Sequence, residues 1–303
     1  MTNEYHIPVL LNSSVGGLNI NTKVVYVDVT FGGGGHSAEI LKRLGPNGKL
    51  YVFDQDEEAL NNAPNDSRIT PIHGNFRYMQ NFLRYHKAIP VDGILADLGV
   101  SSHHFDTEER GFAHRFNSSL DMRMNQGAGL NASEFIKTAD ESTLKKIFSE
   151  FGEVENAGKL SKCIVAARDV QEIQTVEDFK KAINFCIPKG RENKYLAKVF
   201  QALRIAVNDE IEALKEWLLQ TRECLKPGGR LVVITYHSLE DRLVKNYIRD
   251  GNFEGKADQD LFGNKKTFFT SVTRGTIVAD EDENSKNPRA RSAKLRIAAK
   301  NEE

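Results

Sequence analysis

The sequence is short of cysteine and has no long hydrophobic run. Its 303 residues include three cysteines, Cys163, Cys186 and Cys224, and none of them forms a CxxC pair. Such sparse usage excludes a disulfide scaffold and favours reduced, buried thiols in a cytoplasmic protein. No apolar stretch approaches the roughly eighteen residues that a membrane helix requires, so we expect no membrane insertion.

Signals for metal binding, export and general attraction to nucleic acid are equally scarce. The eight histidines form no HExxH or Cys/His cluster, so we expect no catalytic metal, and His103-His104 is the one place to examine. The N-terminus lacks a basic segment, which argues against a signal peptide and for a cytoplasmic location. The net charge is -1, so a nucleic-acid surface must come from local clusters. No obligate protein partner is evident.

The first hundred residues alternate between strand-like and helix-compatible segments. The strand-like runs cover residues 23–29, 49–53, 68–73 and 91–98. Because strand–helix–strand repeats make right-handed crossovers, this order predicts a mostly parallel, doubly wound α/β sheet. Further strands are predicted at 230–236, after a turn in "LKPGG", and in the tail at 267–272 and 293–299.

The middle of the chain has a different period, because its apolar residues recur at helical spacing. Thr175 with Asp178 predicts the N-terminal cap of one helix, and Pro188-Lys189-Gly190 predicts a break between two others. We therefore predict a helical insertion, which we interpret as a substrate-recognition domain. It would cover residues 105–205 and interrupt a core made of 1–104 and 206–303.

Four consecutive glycines, Gly32, Gly33, Gly34 and Gly35, follow the first predicted strand in "YVDVTFGGGGHSAEI". In an open α/β sheet, ligands bind beyond the carboxyl ends of the strands, where glycines admit a ligand to bare backbone. A dinucleotide and S-adenosylmethionine (SAM) fit this setting equally. The spacing disfavours a dinucleotide, because a GxGxxG motif counted from Gly32 would need its third glycine at position 37, which is Ser37. Asp28-x-x-x-Gly32-x-Gly34 instead resembles the SAM-binding motif of Rossmann-like methyltransferases, and a carboxylate suits the amino group and sulfonium of SAM.

Two further acids end predicted strands. Asp54, in "YVFDQD", lies about twenty residues after the glycines, where a carboxylate accepts hydrogen bonds from ribose hydroxyls, and we prefer it to Asp56. Asp97, in "DGILADLG", ends the fourth strand, where methyltransferases of this class hold the group that faces the transferable methyl. With "LKPGGRLVVIT" as a turn and fifth strand, these signals predict an α/β fold. Its sheet would be that of a Rossmann-like, class I SAM-dependent methyltransferase with an inserted helical domain.

Longer segments resemble the bacterial RsmH/MraW family. They are "HIPVLL", "TFGGGGHSAEIL", "DLGVSS", "RGF", "LDMRM", "FQALRIAVNDEIEAL", "HSLEDRLVK" and "NPRARSAKLRIA". They span nearly the whole chain and are more specific than the general methyltransferase motifs. The resemblance implies methyl transfer from SAM to N4 of a cytosine in the decoding region of 16S rRNA within the small ribosomal subunit. It also implies SAM contacts at Gly34, Gly35, His36, Asp54, Phe76 and Asp97, and at His104, where the family commonly has glutamine.

The chemistry suggests roles for two residues. An exocyclic cytosine amine is a poor nucleophile, so positioning, which contributes roughly 7–11 kcal/mol in well-oriented systems, must carry much of the catalysis. We hypothesise that Asp97 accepts a hydrogen bond from the amine or sets the methyl geometry. His237, in "YHSLEDR", would contact the cytosine or relay the departing proton, unless it only orients its own turn. The neighbouring Ser238 is a substrate-binding candidate.

Cations and aromatic residues supply the remaining candidates. Arg110 and Phe112 of "ERGF" and Arg123 of "LDMRM" are predicted to read or stack an unstacked base. Two basic clusters are candidates for phosphate contacts, although a solvated charged face explains either as well. They comprise Lys189, Arg191 and Lys194, and Arg289, Arg291, Lys294 and Arg296.

Three alternatives remain open at this stage. A methyltransferase acting on DNA, transfer RNA or protein shares every cofactor motif. A ribosome-assembly factor that holds SAM without turnover differs only in lacking catalysis. An NAD-dependent oxidoreductase is disfavoured by the glycine spacing.

Overall fold

The computed structural model describes residues 8–99, 110–127, 129–257, 259, 263 and 267–302. The chain divides into two compact units, which we call the sheet unit and the helical unit. The sheet unit consists of Met1–Gly99 and Glu212–Glu303, and the helical unit of Val100–Ile211. The predicted insertion, residues 105–205, lies within the helical unit, which begins five residues earlier and ends six residues later.

Within the described residues, the sheet unit contains a seven-stranded sheet. Its strands are β1 Val25–Asp28, β2 Lys49–Asp54, β3 Ile69–His73, β4 Val91–Asp97, β5 Leu225–Thr235, β6 Phe269–Ser271 and β7 Lys294–Lys300. Their order in the sheet is β3-β2-β1-β4-β5-β7-β6. Strands β1 to β5 pair in parallel, and β7 is antiparallel to both of its neighbours. The predicted Rossmann-like α/β fold is thereby confirmed, with two antiparallel pairings at one side of the sheet.

Helices follow the strands and cover both faces of the sheet. Those before the helical unit are α1 Leu11–Gly17, α2 Gly35–Arg43, α3 Glu57–Leu60 and α4 Met79–Tyr85. Those after the described helices of that unit are α10 Glu210–Cys224, α11 Ser238–Asp250 and α12 Glu281–Lys286. Helix α1 was not predicted, because "LNSSVGG" has neither a helical apolar period nor a capping signal.

The alternation of side chains along each strand builds two cores. Leu231 and Val233 of β5 lie in one cluster with the fully buried Trp217, whereas Val232 and Ile234 lie in the other with Ile40. Successive strand residues point to opposite faces, so a continuous apolar run indicates a strand covered on both sides. The result is a central sheet between two layers of helices.

Strand β5 departs from the sequence prediction at its beginning. The "LKPGG" segment was predicted as a turn before a strand at 230, but the strand begins at Leu225. Its pairing with β4 jumps from Val91↔Leu225 to Gly93↔Arg230. The extra residues form a bulge in which Gly228 has a φ of +75°. The turn residues therefore lie within the strand, because a bulge needs the same positive φ as a turn.

The helical unit has its own core. Its helices are α5 Ala132–Thr138, α6 Glu141–Glu150, α7 Ala157–Arg168, α8 Val176–Ile183 and α9 Glu192–Val207. Phe148, Phe179 and Leu203 are fully buried in one apolar cluster. The predicted cap is present as a capping box between Thr175 and Asp178 at the start of α8. The predicted break at 188–190 lies between a short 3-10 helix, Asn184–Cys186, and α9.

No helix within the described ranges is both long enough and apolar enough to cross a membrane. The three cysteines are free thiols, and Cys186 and Cys224 are buried.

Candidate active site

The candidate site lies at the carboxyl edge of the parallel strands. The register pairs Asp28 with Val52 and Leu95, so β1, β2 and β4 end at nearly the same level. Strands β2 and β4 neighbour β1 on opposite sides, which makes this the point where the strand order reverses. Ligands of open α/β sheets bind in the crevice at such a point. The glycine run and the acids Asp54 and Asp97 meet at this edge.

The glycine loop connects β1 to α2 and uses its glycines differently. Gly32 and Gly34 have positive φ angles of +51° and +75°, which L side chains rarely adopt. A side chain at Gly34 would collide with the Phe31 ring, and one at Gly35 with Pro8. The space beside Gly32 is open, and Gly33 is exposed. The loop is therefore packed behind Gly34 and Gly35 and accessible at Gly32 and Gly33.

Asp28 braces this loop from behind. Its Oδ1 accepts a hydrogen bond from the Thr30 N–H at 3.1 Å, and its Oδ2 accepts one from the Ser37 hydroxyl at 2.6 Å. The residue is 1% exposed, and burial raises the pKa of its carboxyl to about 6. Both oxygens point into the protein, so Asp28 supports the glycine loop through Thr30 and Ser37 and does not face the crevice.

Asp54 has both the position and the spare capacity that a ribose site needs. Its oxygens accept from the Gly32 N–H at 2.7 Å and the Asp56 N–H at 2.9 Å. A carboxylate has about four acceptor positions, so capacity remains for a ribose hydroxyl beside these bonds and one from the Gln55 backbone. Asp56 instead caps α3 by accepting from the Glu58 N–H.

Phe76 begins a 3-10 helix, Phe76–Tyr78, just beyond β3. It is half-buried and makes an edge contact with Trp217, with ring centroids 5.8 Å apart. Trp217 is fully buried, so it fixes one side of the Phe76 ring. The half-exposed ring offers apolar surface at the same sheet edge as Asp54.

Asp97 is the accessible carboxylate of the crevice. Its side chain is 21% exposed, and its Oδ2 lies 3.9 Å from His36 Nδ1. Its Oδ1 accepts from the Gly99 N–H at 3.2 Å, while its backbone N–H donates to the Thr30 hydroxyl at 2.6 Å. His36 Nε2 lies 3.1 Å from the carbonyl oxygen of Val9 and must carry the proton there, because a carbonyl only accepts.

Tyr236 also belongs to this group and was not predicted. It follows β5, and its ring and the Asp97 carboxylate both border Gly99. Burial and then the charge of Asp97 raise the pKa of the phenol, so it remains a donor. The signal available in the sequence is a tyrosine directly after the buried run "RLVVIT". His237, which follows it, is the more obvious candidate for proton chemistry, so sequence reasoning selected the histidine and missed the tyrosine.

His237 is the N-terminal cap of α11. Its Nδ1 accepts from the Glu240 N–H at 3.5 Å, and Glu240 Oε2 accepts in return from the N–H groups of Tyr236 and His237. Glu240 Oε1 lies 2.9 Å from His237 Nε2, and the histidine side chain is 11% exposed. His237 therefore orients its own turn, which was the alternative interpretation of this residue. Ser238, the first residue of the helix, is exposed.

The basic tail reaches the same edge through the antiparallel strand. Thr235, the last residue of β5, pairs with Lys294, the first residue of β7. Arg289 and Arg291 lie on the 3-10 helix Pro288–Ser292 just before that point. Asp241 binds Arg296 at 2.8 Å and Lys294 at 3.4 Å. Those two cations are thus partly neutralised, whereas Arg291 is exposed.

The candidates in the helical unit are mostly internal. Arg110 is 8% exposed and donates to the carbonyl oxygens of Arg123 and Met124. Phe112 is 4% exposed and belongs to the apolar core of the unit. Base stacking on either side chain is opposed by this burial. Arg123 pairs with Asp121 through two hydrogen bonds of 2.8 Å and is more accessible. His103 and His104 lie outside the described residues.

Known proteins resemble this chain over its full length. The chain is 59% identical to a ribosomal RNA small subunit methyltransferase H of Bacteroides fragilis, over 98% of this chain and 97% of the relative. It is 56% identical to the protein of that name from Christiangramia forsetii, over 98% of each chain. Among solved structures, an rRNA methylase from Streptococcus thermophilus aligns over 98% of this chain and 99% of its own, with 13% identity and a TM-score of 0.45.

A family comparison agrees with the predicted resemblance. The profile of the MraW methylase family matches residues 3–301. Since this match covers nearly the entire chain, together with relatives above one-half identity, the protein belongs to the MraW methylase family.

Proposed function

We propose that the protein transfers a methyl group from SAM to the exocyclic N4 of a cytosine in the decoding region of 16S rRNA, in the cytoplasm. The observation that carries the proposal is the accessible Asp97 carboxylate, placed beside the glycine loop at the reversal point of the sheet. Membership of the MraW methylase family supplies the reaction class. The names of the relatives support small-subunit ribosomal RNA as the substrate.

The residues of the crevice fit SAM. The open space beside Gly32 is a cradle that a side chain would fill. Asp54 retains acceptor capacity for a ribose hydroxyl, and Phe76 offers an apolar ring near it. Gly33, Gly34, Gly35 and His36 complete the loop and the first turn of α2. When bound, SAM supplies a methyl group activated by a positively charged sulfur.

Asp97 is proposed to orient the cytosine amine. One carboxylate oxygen is held by the Gly99 N–H, and the neighbouring Tyr236 phenol is proposed to donate to the same group. A carboxylate fixed in this way can accept a hydrogen bond from the amine without searching other orientations, which is the basis of catalysis by positioning. Tyr236 is thus a positioning residue that acts through Asp97.

His237 is proposed to position the turn after β5. Its Nδ1 accepts the capping hydrogen bond, so the neutral ring carries its proton on Nε2, 2.9 Å from Glu240 Oε1, and has no nitrogen left to take a proton. The proton that the amine loses would pass to the Asp97 carboxylate, which is proposed to accept its hydrogen bond. Ser238, Arg289 and Arg291 are proposed to bind the RNA near this end of the sheet. Arg123 is the preferred candidate in the helical unit, which we propose as the substrate-recognition domain.

Methyl transfer from labelled SAM to small ribosomal subunits that lack the modification tests the proposal. Nuclease digestion and mass identification of the labelled nucleoside should give N4-methylcytidine. The matched variants are Asp97→Asn and His237→Gln, each compared with Asp56→Asn, whose carboxylate caps a helix outside the proposed chemistry. SAM binding without transfer to any subunit would refute the substrate and leave a cofactor-binding role. Full turnover by Asp97→Asn would remove that residue from the mechanism.

A further inference from the structure

One aromatic residue of the helical unit is exposed without an evident structural reason. Phe185 lies on the 3-10 helix Asn184–Cys186 and is 84% exposed. Phe148 and Phe179 of the same unit are fully buried. Leaving a phenylalanine in water forgoes roughly 1.5–3 kcal/mol of burial free energy. A single exposed apolar residue is common on protein surfaces, so its surroundings decide whether it belongs to a binding site.

The backbone that carries Phe185 is tied down. Lys159 Nζ donates to the Phe185 carbonyl oxygen at 2.7 Å, and Asn156 Nδ2 donates to the Cys186 carbonyl oxygen at 2.9 Å. The Tyr195 hydroxyl in turn donates to Asn156 Oδ1 at 2.9 Å. The ring is therefore presented from a fixed turn, and little conformational freedom is lost when a partner stacks on it.

Cations surround this aromatic residue in the sequence. Residues 180–198 contain six lysines or arginines and one acid, Glu192. Glu192 accepts a hydrogen bond from the Gly190 N–H at 2.8 Å. Four of the cations are exposed and form no ion pair with any described residue. They are Lys181, Lys189, Arg191 and Lys194.

We propose that Phe185 and these four cations form an RNA-binding surface, on which one unstacked base lies against the Phe185 ring while the cations contact the flanking phosphates. We call it the Phe185 surface. The inference rests on the proposed function and adds a contact area for the RNA on the helical unit. An aromatic face set among unpaired cations matches a single strand, which offers bases for stacking and phosphates for charge.

The first experiment measures RNA binding without turnover. A fluorescent single-stranded oligoribonucleotide of about 12 nucleotides, within the usual site size, is titrated with wild type, Phe185→Ala and Phe185→Tyr. The alanine variant should bind about 5-fold to 150-fold more weakly, the range expected for loss of one base–aromatic stack. The tyrosine variant should bind like wild type. Val170→Ala is the matched control, because Val170 is an 88% exposed apolar residue of the same unit.

Salt dependence tests the cations. Replacing both Lys189 and Lys194 by alanine should reduce the slope of log affinity against log salt by about 0.7 for each phosphate that is no longer neutralised. The slope for Phe185→Ala should equal that of wild type. Equal RNA affinities of wild type and Phe185→Ala would overturn the inference.

The second experiment separates this surface from the proposed function. With small ribosomal subunits as substrate, Phe185→Ala should raise KM and leave kcat unchanged, because a contact that is equally strong in the ground state and the transition state contributes to binding alone. Weaker binding to subunits with normal binding to naked 16S rRNA and to the oligonucleotide would make the partner a protein and refute the RNA assignment. Absence of methyl transfer by wild type, with weakened RNA binding by Phe185→Ala, would refute the proposed function and support the Phe185 surface.

Discussion

Replacing Asp28 by asparagine is expected to stabilise the protein at neutral pH. Asp28 is 1% exposed, and burial raises the pKa of its carboxyl from the ordinary 3.8 to about 6, although Ser37 and Thr30 donate to it. A pKa increase of this size means that keeping Asp28 ionised in the folded state costs about 3 kcal/mol. Asparagine has nearly the same shape and no charge, so Asp28→Asn should recover about 1–3 kcal/mol, depending on how well its amide fits the two donors.

The sign of the pH dependence follows from the direction of the pKa. The folded state holds the Asp28 proton more tightly than the unfolded chain does. Its contribution to the free energy of unfolding is therefore fully present below pH 3.8 and is lost as the pH rises to about 6. Urea unfolding of wild type and Asp28→Asn from about pH 3.5 to 8 should show the difference growing by about 2–3 kcal/mol in favour of the variant. The remaining titratable groups are common to both proteins and cancel.

Asp66→Asn provides a control of opposite sign. Arg68 binds Asp66 and lowers the pKa of its carboxyl to about 2. That contribution to stability is present above pH 3.8 and is lost as the pH falls through about 2, so Asp66→Asn should be less stable than wild type at neutral pH. Since both Asp28 oxygens face the protein, Asp28→Asn should keep the SAM affinity of wild type. A pH-independent difference between wild type and Asp28→Asn would refute burial as the dominant effect.

Four further substitutions have expected outcomes. Gly34→Ala should lower the free energy of unfolding by about 2–4 kcal/mol, because positive φ and a clash with an aromatic ring add together, whereas Gly32→Ala should cost about 1–2 kcal/mol from φ alone. Calorimetric titration should also show weaker SAM binding for Gly32→Ala, because its methyl group enters the open space. Tyr236→Phe should lower kcat roughly tenfold or more by removing the donor to Asp97, with little change in SAM affinity. Thr175→Ala should cost about 1 kcal/mol of stability by breaking a capping box, and unchanged unfolding would contradict the cap.

The strands and the acids at their ends were predictable because both depend on local sequence. A buried parallel strand is a continuous apolar run, and Asp54 and Asp97 each end such a run. The capping box at Thr175 was visible for the same reason, since all of its atoms come from four consecutive residues. The family resemblance extended this local information to the whole chain and is confirmed.

Other features depend on contacts that sequence reasoning does not supply. The antiparallel insertion of β7 beside β5 is a long-range pairing, and no local pattern in 293–299 specifies it. Asp28 has the sequence position of a ligand-facing acid, but the Ser37 hydroxyl, nine residues later, donates a hydrogen bond to its Oδ2. The burial of Phe112 follows from the packing of several helices. The exposure of Phe185 is likewise a property of the folded unit, because its apolar neighbours Ile183 and Cys186 are both buried.

The pairing of β4 with β5 has a consequence for the order of folding. These strands are neighbours in the sheet, yet residues 98–224 lie between them in the chain. Closing a loop of that length costs about 1.4 kcal/mol more entropy than closing a crossover of about 25 residues. A helical unit that is already compact shortens the loop, so we expect it to gain structure before the sheet closes. Pulsed hydrogen exchange during refolding should protect amides of α7 and α9 before those of β4. Earlier protection of β4 would show that the sheet closes around an unfolded insertion.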